Sequence, residues 1–269
     1  MTNRREAPVT PDRPGRVFLN FSPKHINDYR ACPEQFYWRH IKREWVRKQF
    51  ARPLEIGGAT HRALAFVWHQ QLAGFEEPDD LARLASIHLR QSNYPPDEQE
   101  KWPDDVATVA GHVERCLRAL DGEKSILSVE REWSHSLAKT GSGPPLRIQS
   151  RVDLVLQRPD GIVEHVDYKT GRKKADEIQE VMSRVVVRAM LTTTGITGAQ
   201  LVTSTLYAKD GTLVSDQYDR DAYRHVWMDI LDAVTAIRAT TVWKPSPGPD
   251  CHWCDFKDLC SIQGAGQIR

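Results

Sequence analysis

The sequence predicts an α/β fold in which helices come first, strands fill the middle and helices close the chain. Three observations predict it. Apolar residues recur at helical spacing as far as Leu120. The period then shortens into strand-like runs over residues 126–168. Helical spacing returns at residues 176–191 and 220–239, on either side of a further strand pair. With 269 residues, 40% apolar and 27% charged, the chain suits one domain with insertions or two closely integrated lobes.

Residues 1–16 hold four arginines and three prolines with little apolar content, which reads as a flexible tail, with order expected from about Val17. Ser22 then caps a helix that opens on Pro23 and buries Ile26 and Tyr29. Cys32-Pro33 restarts the pattern, and Phe36, Tyr37 and Ile41 form a second helical face. From Leu54 a third helix aligns Leu54, Gly58, His61, Ala65 and Trp68, with Gly57 and Gly58 allowing another backbone to come close. A short helix is expected over residues 81–89, and a longer one over 105–120 carries Val106, Val109, Val113, Cys116, Leu117 and Leu120 inward, so Cys116 reads as core.

Strands are expected at residues 126–137, 146–157 and 162–168, the last two joined by the turn Arg158-Pro159-Asp160-Gly161. A helix at 176–191 buries Ile178, Met182, Val185, Val186 and Ala189, and strands 201–207 and 212–218 flank Asp210-Gly211. The last helix spans 220–239, and a proline-rich loop leads to Cys251, Cys254 and Cys260.

Net charge is +1, from 37 basic against 36 acidic side chains, so the global balance argues for no particular partner. Locally, Arg39, Lys42, Arg43, Arg47, Lys48 and Arg52 are opposed only by Glu44. The first five are candidate DNA contacts, with Trp38 and Trp45 at hand for stacking; a solvated helix face is the plainer alternative. No apolar run reaches the roughly 20 residues that cross a bilayer, and no signal-peptide core follows the start, so a cytoplasmic chain without a membrane partner is expected.

Chemistry concentrates between Arg151 and Gly171. If residues 146–157 and 162–168 pair as antiparallel neighbours, Asp153 lies near the end of one strand. Asp167 and Lys169, two apart, then point to one side of the other. Two carboxylates and an ammonium in one small volume suit a hard divalent cation, Mg²⁺ or Mn²⁺, held by Asp153, Asp167 and a backbone carbonyl near Tyr168. Such an ion polarises a phosphodiester and acidifies a bound water, while Lys169 orients that water or neutralises charge on the phosphate. The plain alternative is a hairpin carrying a surface Asp167–Lys169 ion pair, which contributes little.

Ser22-Pro23, Tyr29, Cys32-Pro33, Gly58 with His61, Glu130, Val152-Asp153, Asp167-Tyr168-Lys169-Thr170-Gly171 and a closing Cys-x2-Cys-x5-Cys follow one another in that order. This order resembles the RecB-like branch of the PD-(D/E)XK nucleases. It is most similar to that branch's iron–sulfur members, the CRISPR-associated adaptation exonucleases and the nuclease domains of AddB and related helicase–nucleases. The resemblance spans roughly residues 22–260. It implies a central mixed β-sheet flanked by helices, a restriction-endonuclease-like core, with an N-terminal helical region and a C-terminal cysteine-bound tail. It also implies that His61 is a further metal ligand, that Glu130 is a supporting acid and that DNA ends or single strands are the substrate. Family members carry a Gln and, four residues later, a Tyr on the helix after the lysine strand; here Gln179 is followed at that distance by Ser183.

Four thiols, Cys32, Cys251, Cys254 and Cys260, suit tetrahedral Zn²⁺ or an iron–sulfur cluster, and ligation at one centre would tie the N-terminal helices to the C-terminal tail. Four reduced core cysteines are the other reading. The resemblance favours a [4Fe–4S] cluster, with structural Zn²⁺ as the alternative.

The expected organisation is a tail at 1–16, a helical region at 17–121 contributing Cys32 and His61, a nuclease core at 122–218, and a C-terminal helix and cluster-binding tail at 219–269 packed on the N-terminal region. The expected activity is divalent-metal-dependent hydrolysis of DNA by an exonuclease of recombination, repair or CRISPR adaptation, partnered by a helicase or an adaptation protein. Competing readings are a catalytically weak DNA-binding or scaffold subunit and a defence endonuclease.

Overall fold

A computed structural model of the chain describes residues 20–44, 51–76, 78–92, 94, 96–136, 146–171, 177–196, 198–215 and 220–262. The axis of its sheet is β3 (Arg147–Gln157), whose residues 152–156 are buried on both faces and apolar apart from Asp153. To keep the element names in chain order, β1 is Asn20–Phe21, β2 is Ser125–Ser136, β4 is Val163–Lys169, β5 is Leu201–Tyr207 and β6 is Thr212–Ser215. Strand β2 runs antiparallel along one edge of β3 for its whole length. On the other edge, β4 pairs antiparallel with residues 154–157, and β1 pairs in parallel with Arg147 and Ile148. Beyond β4 lie β5, parallel to it, and β6, antiparallel to β5.

The sheet therefore forks. The β3–β4 ladder stops at Leu154 and Val166, whereas β4 stays paired with β5 as far as Lys169 and Tyr207. Strand β1 enters on the edge that β4 has left.

Helices cover both faces, as expected for a mixed sheet of this class. On one side α3 (Arg52–Leu72), α4 (Leu81–Arg90) and α5 (Trp102–Ala119) bury Leu64, Trp68, Leu89, Val113 and Cys116 against Leu154, Leu156, Val166 and Tyr168. On the other, α6 (Glu177–Thr193) sets Val187 and Met190 on Val152, Val155, Val163 and Leu201. That layer is extended by α1 (Pro23–Ala31), α2 (Pro33–Phe36) and α7 (Arg220–Ala239), joined through Ile26, Phe36, Ile230, Val234 and Trp243.

Local chemistry explains the helix starts. Ser22 Oγ accepts from the His25 amide while His25 Nδ1 accepts from the Ser22 amide, a reciprocal cap with histidine where glutamate is usual. Pro53 and Pro103 open α3 and α5 in the first turn, ahead of the apolar stripes, so both helices begin earlier than periodicity indicates. The guanidinium of Arg52 donates to both oxygens of the fully buried Asp105 (2.8 and 2.9 Å), which also accepts from Tyr94 Oη at 2.6 Å. Arg52 thus belongs to the scaffold, tying α3 to α5. Two features differ from expectation: β1 carries no readable pattern, and α2 runs into a π-helical turn, Tyr37–Lys42, ended by Arg43 at φ 55°. The expected tail, the start near Val17 and the expected end of β6 at 216–218 lie outside the described residues.

Candidate metal centre

Three elements converge at the fork. Helix α3 reaches it because residue 57 is glycine: a Cβ there would stand 2.8 Å from Thr170 Oγ1, just past the end of β4. One turn on, the same helix face presents His61. Strand β2 contributes Glu130, whose φ of 43° is left-handed and strained for a residue with a side chain. The pairs Val129–Leu154 and Arg131–Val152 bracket Glu130 and Asp153, which stand opposite each other without a ladder pair of their own. Side-chain alternation resets there, since Val152 and Val155 both pack beneath α6 while Leu154 packs beneath α3.

His61 Nδ1 lies 3.3 Å from Glu130 Oε1 and 3.5 Å from Asp153 Oδ2, and one ligand atom from each residue falls within 4.8 Å of the others. The supporting contacts fix these carboxylates. Asp153 Oδ2 accepts from the Tyr168 amide at 2.9 Å, where the ladder has lapsed, and Glu130 Oε2 accepts from Arg151 Nε at 2.7 Å. Burial drives the Asp153 pKa up; His61 pulls it back, and the Asp167 and Glu130 charges add to the rise. For His61 burial alone would favour the neutral ring, but the Asp153 and Glu130 carboxylates overcome it and lift the pKa to about 10. The centre thus carries surplus negative charge that a proton on His61 offsets.

A pH dependence follows. A histidine whose folded pKa is raised stabilises the fold fully below its unfolded value near 6.5 and loses that contribution as pH climbs through about 10. The metal-free protein is therefore expected to melt at progressively lower temperature across that window, and His61→Gln to lose this part of the slope. Parallel melts of the two proteins check it.

Of the residues singled out from sequence, the structure brings His61, Glu130 and Asp153 into one group. Asp167 does not join that group among the described residues; its carboxylate sits 2.8 Å from Lys169 Nζ, on the one side of β4 that their spacing requires. Asp167 is near enough for its charge to act on Asp153, and Glu130 joins the group from the left-handed position on β2. Sequence reasoning missed Arg151 and the Tyr168 amide as supports, and neither leaves a residue-type signal. Gln179 donates to Ser150 Oγ and Ser183 Oγ, themselves 2.7 Å apart, so a small hydroxyl cluster fills the place of the tyrosine. Arg39 is paired with Asp28 at 2.9 Å and Asp255 at 2.8 Å, which makes it a staple between chain segments. Lys42 lies over the Tyr37 ring, and Arg43 is exposed; Arg47, Lys48 and Trp45 lie outside the described residues.

Cys32, Cys251, Cys254 and Cys260 line one cavity between the start of α2 and the segment after α7. Backbone amides of Ser246 and Gly248 point to Cys32 Sγ and Cys251 Sγ at 3.4 and 3.3 Å. Buried Glu34 accepts from Cys260 Sγ and from the Ser261 amide. Burial, with Glu34 adding to it, pushes the Cys260 thiol up to about 11. Among the described residues no three of these thiols lie within 4.8 Å of one another.

A forked mixed sheet between helical layers, with a His–Glu–Asp group at the fork, defines an α/β protein whose donor set suits a divalent cation. The chain belongs to the PD-(D/E)XK nuclease superfamily, whose sequence profile matches residues 20–261. No curated protein matches it. Among solved structures it is similar to one described as "Crystal structure of SSO0001", at 12% identity over 90% of this chain and 85% of that one. The TM-score of that superposition is 0.38. No helix among the described residues is long and apolar enough to cross a membrane.

Proposed function

We propose that this protein is a divalent-metal-dependent deoxyribonuclease, an exonuclease acting on single strands or DNA ends. The observation that carries the proposal is the convergence of His61, Glu130 and Asp153, with Asp167, the partner of Lys169, near enough to act on Asp153, in a chain of nuclease ancestry. Two carboxylate oxygens and an imidazole nitrogen fit Mg²⁺ or Mn²⁺, with the Tyr168 carbonyl as a further ligand and Asp167 near enough to add charge. The bound ion supplies polarisation of the phosphate and a water of lowered pKa. The chain's own groups do the rest. Tyr168 and Arg151 hold the two carboxylates in place, and Lys169, kept by Asp167, orients the attacking water and faces the charge that develops on phosphorus. Water adds to phosphorus, the bond to the 3′ oxygen breaks, and a 3′ hydroxyl and a 5′ phosphate are left.

Linear and circular single-stranded DNA, incubated with Mn²⁺ or Mg²⁺ beside Lys169→Ala, test this. Degradation of the linear form alone, lost in the variant, is expected. Cutting of circles would move the reading to the defence endonuclease, and no cutting of either would leave a DNA-binding or scaffold subunit. Gly57→Ala should be telling as well. Helix propensity favours alanine by about 1 kcal/mol, but the methyl must either displace the Thr170 hydroxyl or push α3, and His61 with it, back from the fork. Such a misplacement costs about a hundredfold in rate, so the expected result is a folded protein with that loss of cleavage.

For the cysteines we propose a structural [4Fe–4S] cluster in the cavity they share. Tetrahedral Zn²⁺ is the alternative, since four thiolates suit either centre. Anaerobic iron, zinc and sulfide analysis decides between them. On this reading the chain joins the RecB-like iron–sulfur nucleases, works in the cytoplasm and serves recombination, repair or CRISPR adaptation beside a helicase or adaptation protein. Its organisation is then the one expected from sequence, with residues 122–218 as nuclease core.

A further inference from the structure

The cysteines that share a cavity do not share an environment. Cys32 Sγ and Cys251 Sγ each accept from a backbone amide, that of Ser246 at 3.4 Å and that of Gly248 at 3.3 Å. Cys254 and Cys260 instead donate, to Gln35 Oε1 at 3.8 Å and to Glu34 Oε2 at 3.3 Å. Both acceptors stand on α2, the helix that opens directly after Cys32.

Ligation sorts these contacts. A sulfur bound to a metal has lost its S–H and can only accept. The amide donors to Cys32 and Cys251 therefore remain and support the bound state, as donors to ligating sulfur do. Gln35 can keep its contact too, because turning its amide over presents an N–H in place of the oxygen. Glu34 has no such option, since a carboxylate offers oxygens alone. Nor can it swing aside: it is 2% exposed, with Oε1 accepting from the Ser261 amide at 2.9 Å and Oε2 from the Ser261 hydroxyl at 3.2 Å. At this corner a held carboxylate oxygen faces the very sulfur that should bind, and carboxylate oxygen is itself a metal ligand.

We propose that Glu34 and Cys260 share one coordination position, which makes this the exchangeable corner of the site, while Cys32, Cys251 and Cys254 keep their hold. When Cys260 lets go, Glu34 oxygen takes its place. The proposal rests on the metal-binding reading of the four cysteines and adds which ligand yields first. With a [4Fe–4S] centre the corner iron leaves as Fe²⁺ when a one-electron oxidant such as ferricyanide acts: [4Fe–4S]²⁺ gives [3Fe–4S]⁺ and Fe²⁺, and the oxidant takes the electron.

The test loads the full chain anaerobically with Fe²⁺ and sulfide, adds an equivalent of ferricyanide and follows the [3Fe–4S]⁺ signal by electron paramagnetic resonance. Glu34→Gln keeps an oxygen for the Ser261 amide and gives Cys260 Sγ an N–H, so its signal is expected to grow about tenfold more slowly than that of the wild type. Cys260→Ala is expected to retain the wild-type iron content, with Glu34 as the replacement ligand. Cys251→Ala should lose the iron altogether, and Cys260→Ala joined to Glu34→Ala should lose the corner iron alone. Equal rates in Glu34→Gln and the wild type overturn the proposal and leave the cluster standing, as does a Cys260→Ala protein as empty as Cys251→Ala. If the loaded chain holds zinc and no sulfide, the cluster reading fails, and the same variants are read by zinc release to a chelator. Glu34→Gln is then expected to keep zinc about tenfold longer than the wild type, and equal release overturns the proposal. A chain that takes up neither metal overturns both.

Discussion

Asp153→Asn is expected to cut DNA about a thousandfold more slowly than the wild type while remaining folded. A metal ion at a phosphoryl centre contributes several kcal/mol of charge stabilisation, and each factor of ten in rate corresponds to about 1.4 kcal/mol. The amide retains an oxygen for the Tyr168 N–H, so the local backbone keeps this cross-fork hydrogen bond. It also removes a carboxylate whose ionisation burial opposes, so the melting temperature should hold or rise. Cleavage of labelled single strands in Mn²⁺, beside a thermal melt, checks both halves. A folded variant cutting at the wild-type rate would mean that the ion is not held at the fork.

Phe36→Ala should have the largest structural effect. The Phe36 ring is fully buried, stacked on Trp243 at 5.4 Å and edge-on to Tyr29 at 5.8 Å. It joins α2 to the segment after α7, a seam also closed by Tyr29 with Thr240 and Arg39 with Asp255. Truncating a buried phenylalanine costs about 3–5 kcal/mol, which for a chain of this size lowers the melting temperature by roughly 10 °C. The seam also aligns Cys32 with Cys251, Cys254 and Cys260, so under the proposed cluster reading bound iron should fall as well. A melt within a degree or two of wild type, with metal content unchanged, would show that the seam does not depend on this ring.

Helices and strands were legible in the sequence because their apolar periods differ and their ends carry proline, glycine and capping residues. The pairing pattern was not. Residues 152–156 of β3 are buried on both faces, so alternation gives no hint that β4 leaves at Asp153. Strand β1 is too short to show a period at all. In the site, Asp153 could be found from its place beside Asp167 and Lys169, but the meeting of His61 with Glu130 joins residues 69 positions apart. That contact depends on how closely α3 approaches Thr170, which Gly57 hints at without specifying. Arg39 shows another limit: within a run of positive charge the sequence does not reveal that this one guanidinium pairs with Asp28 and with the distant Asp255.

The backbone at Glu130 has a consequence for how substitutions would be tolerated. A side-chain-bearing residue held left-handed costs about 1–3 kcal/mol, a cost that glycine escapes. In a saturation library, survivors picked solely for heat resistance should accumulate glycine at this position, while survivors picked for breaking DNA should keep the acid. Where the two populations part company marks a site at which durability has been traded for chemistry.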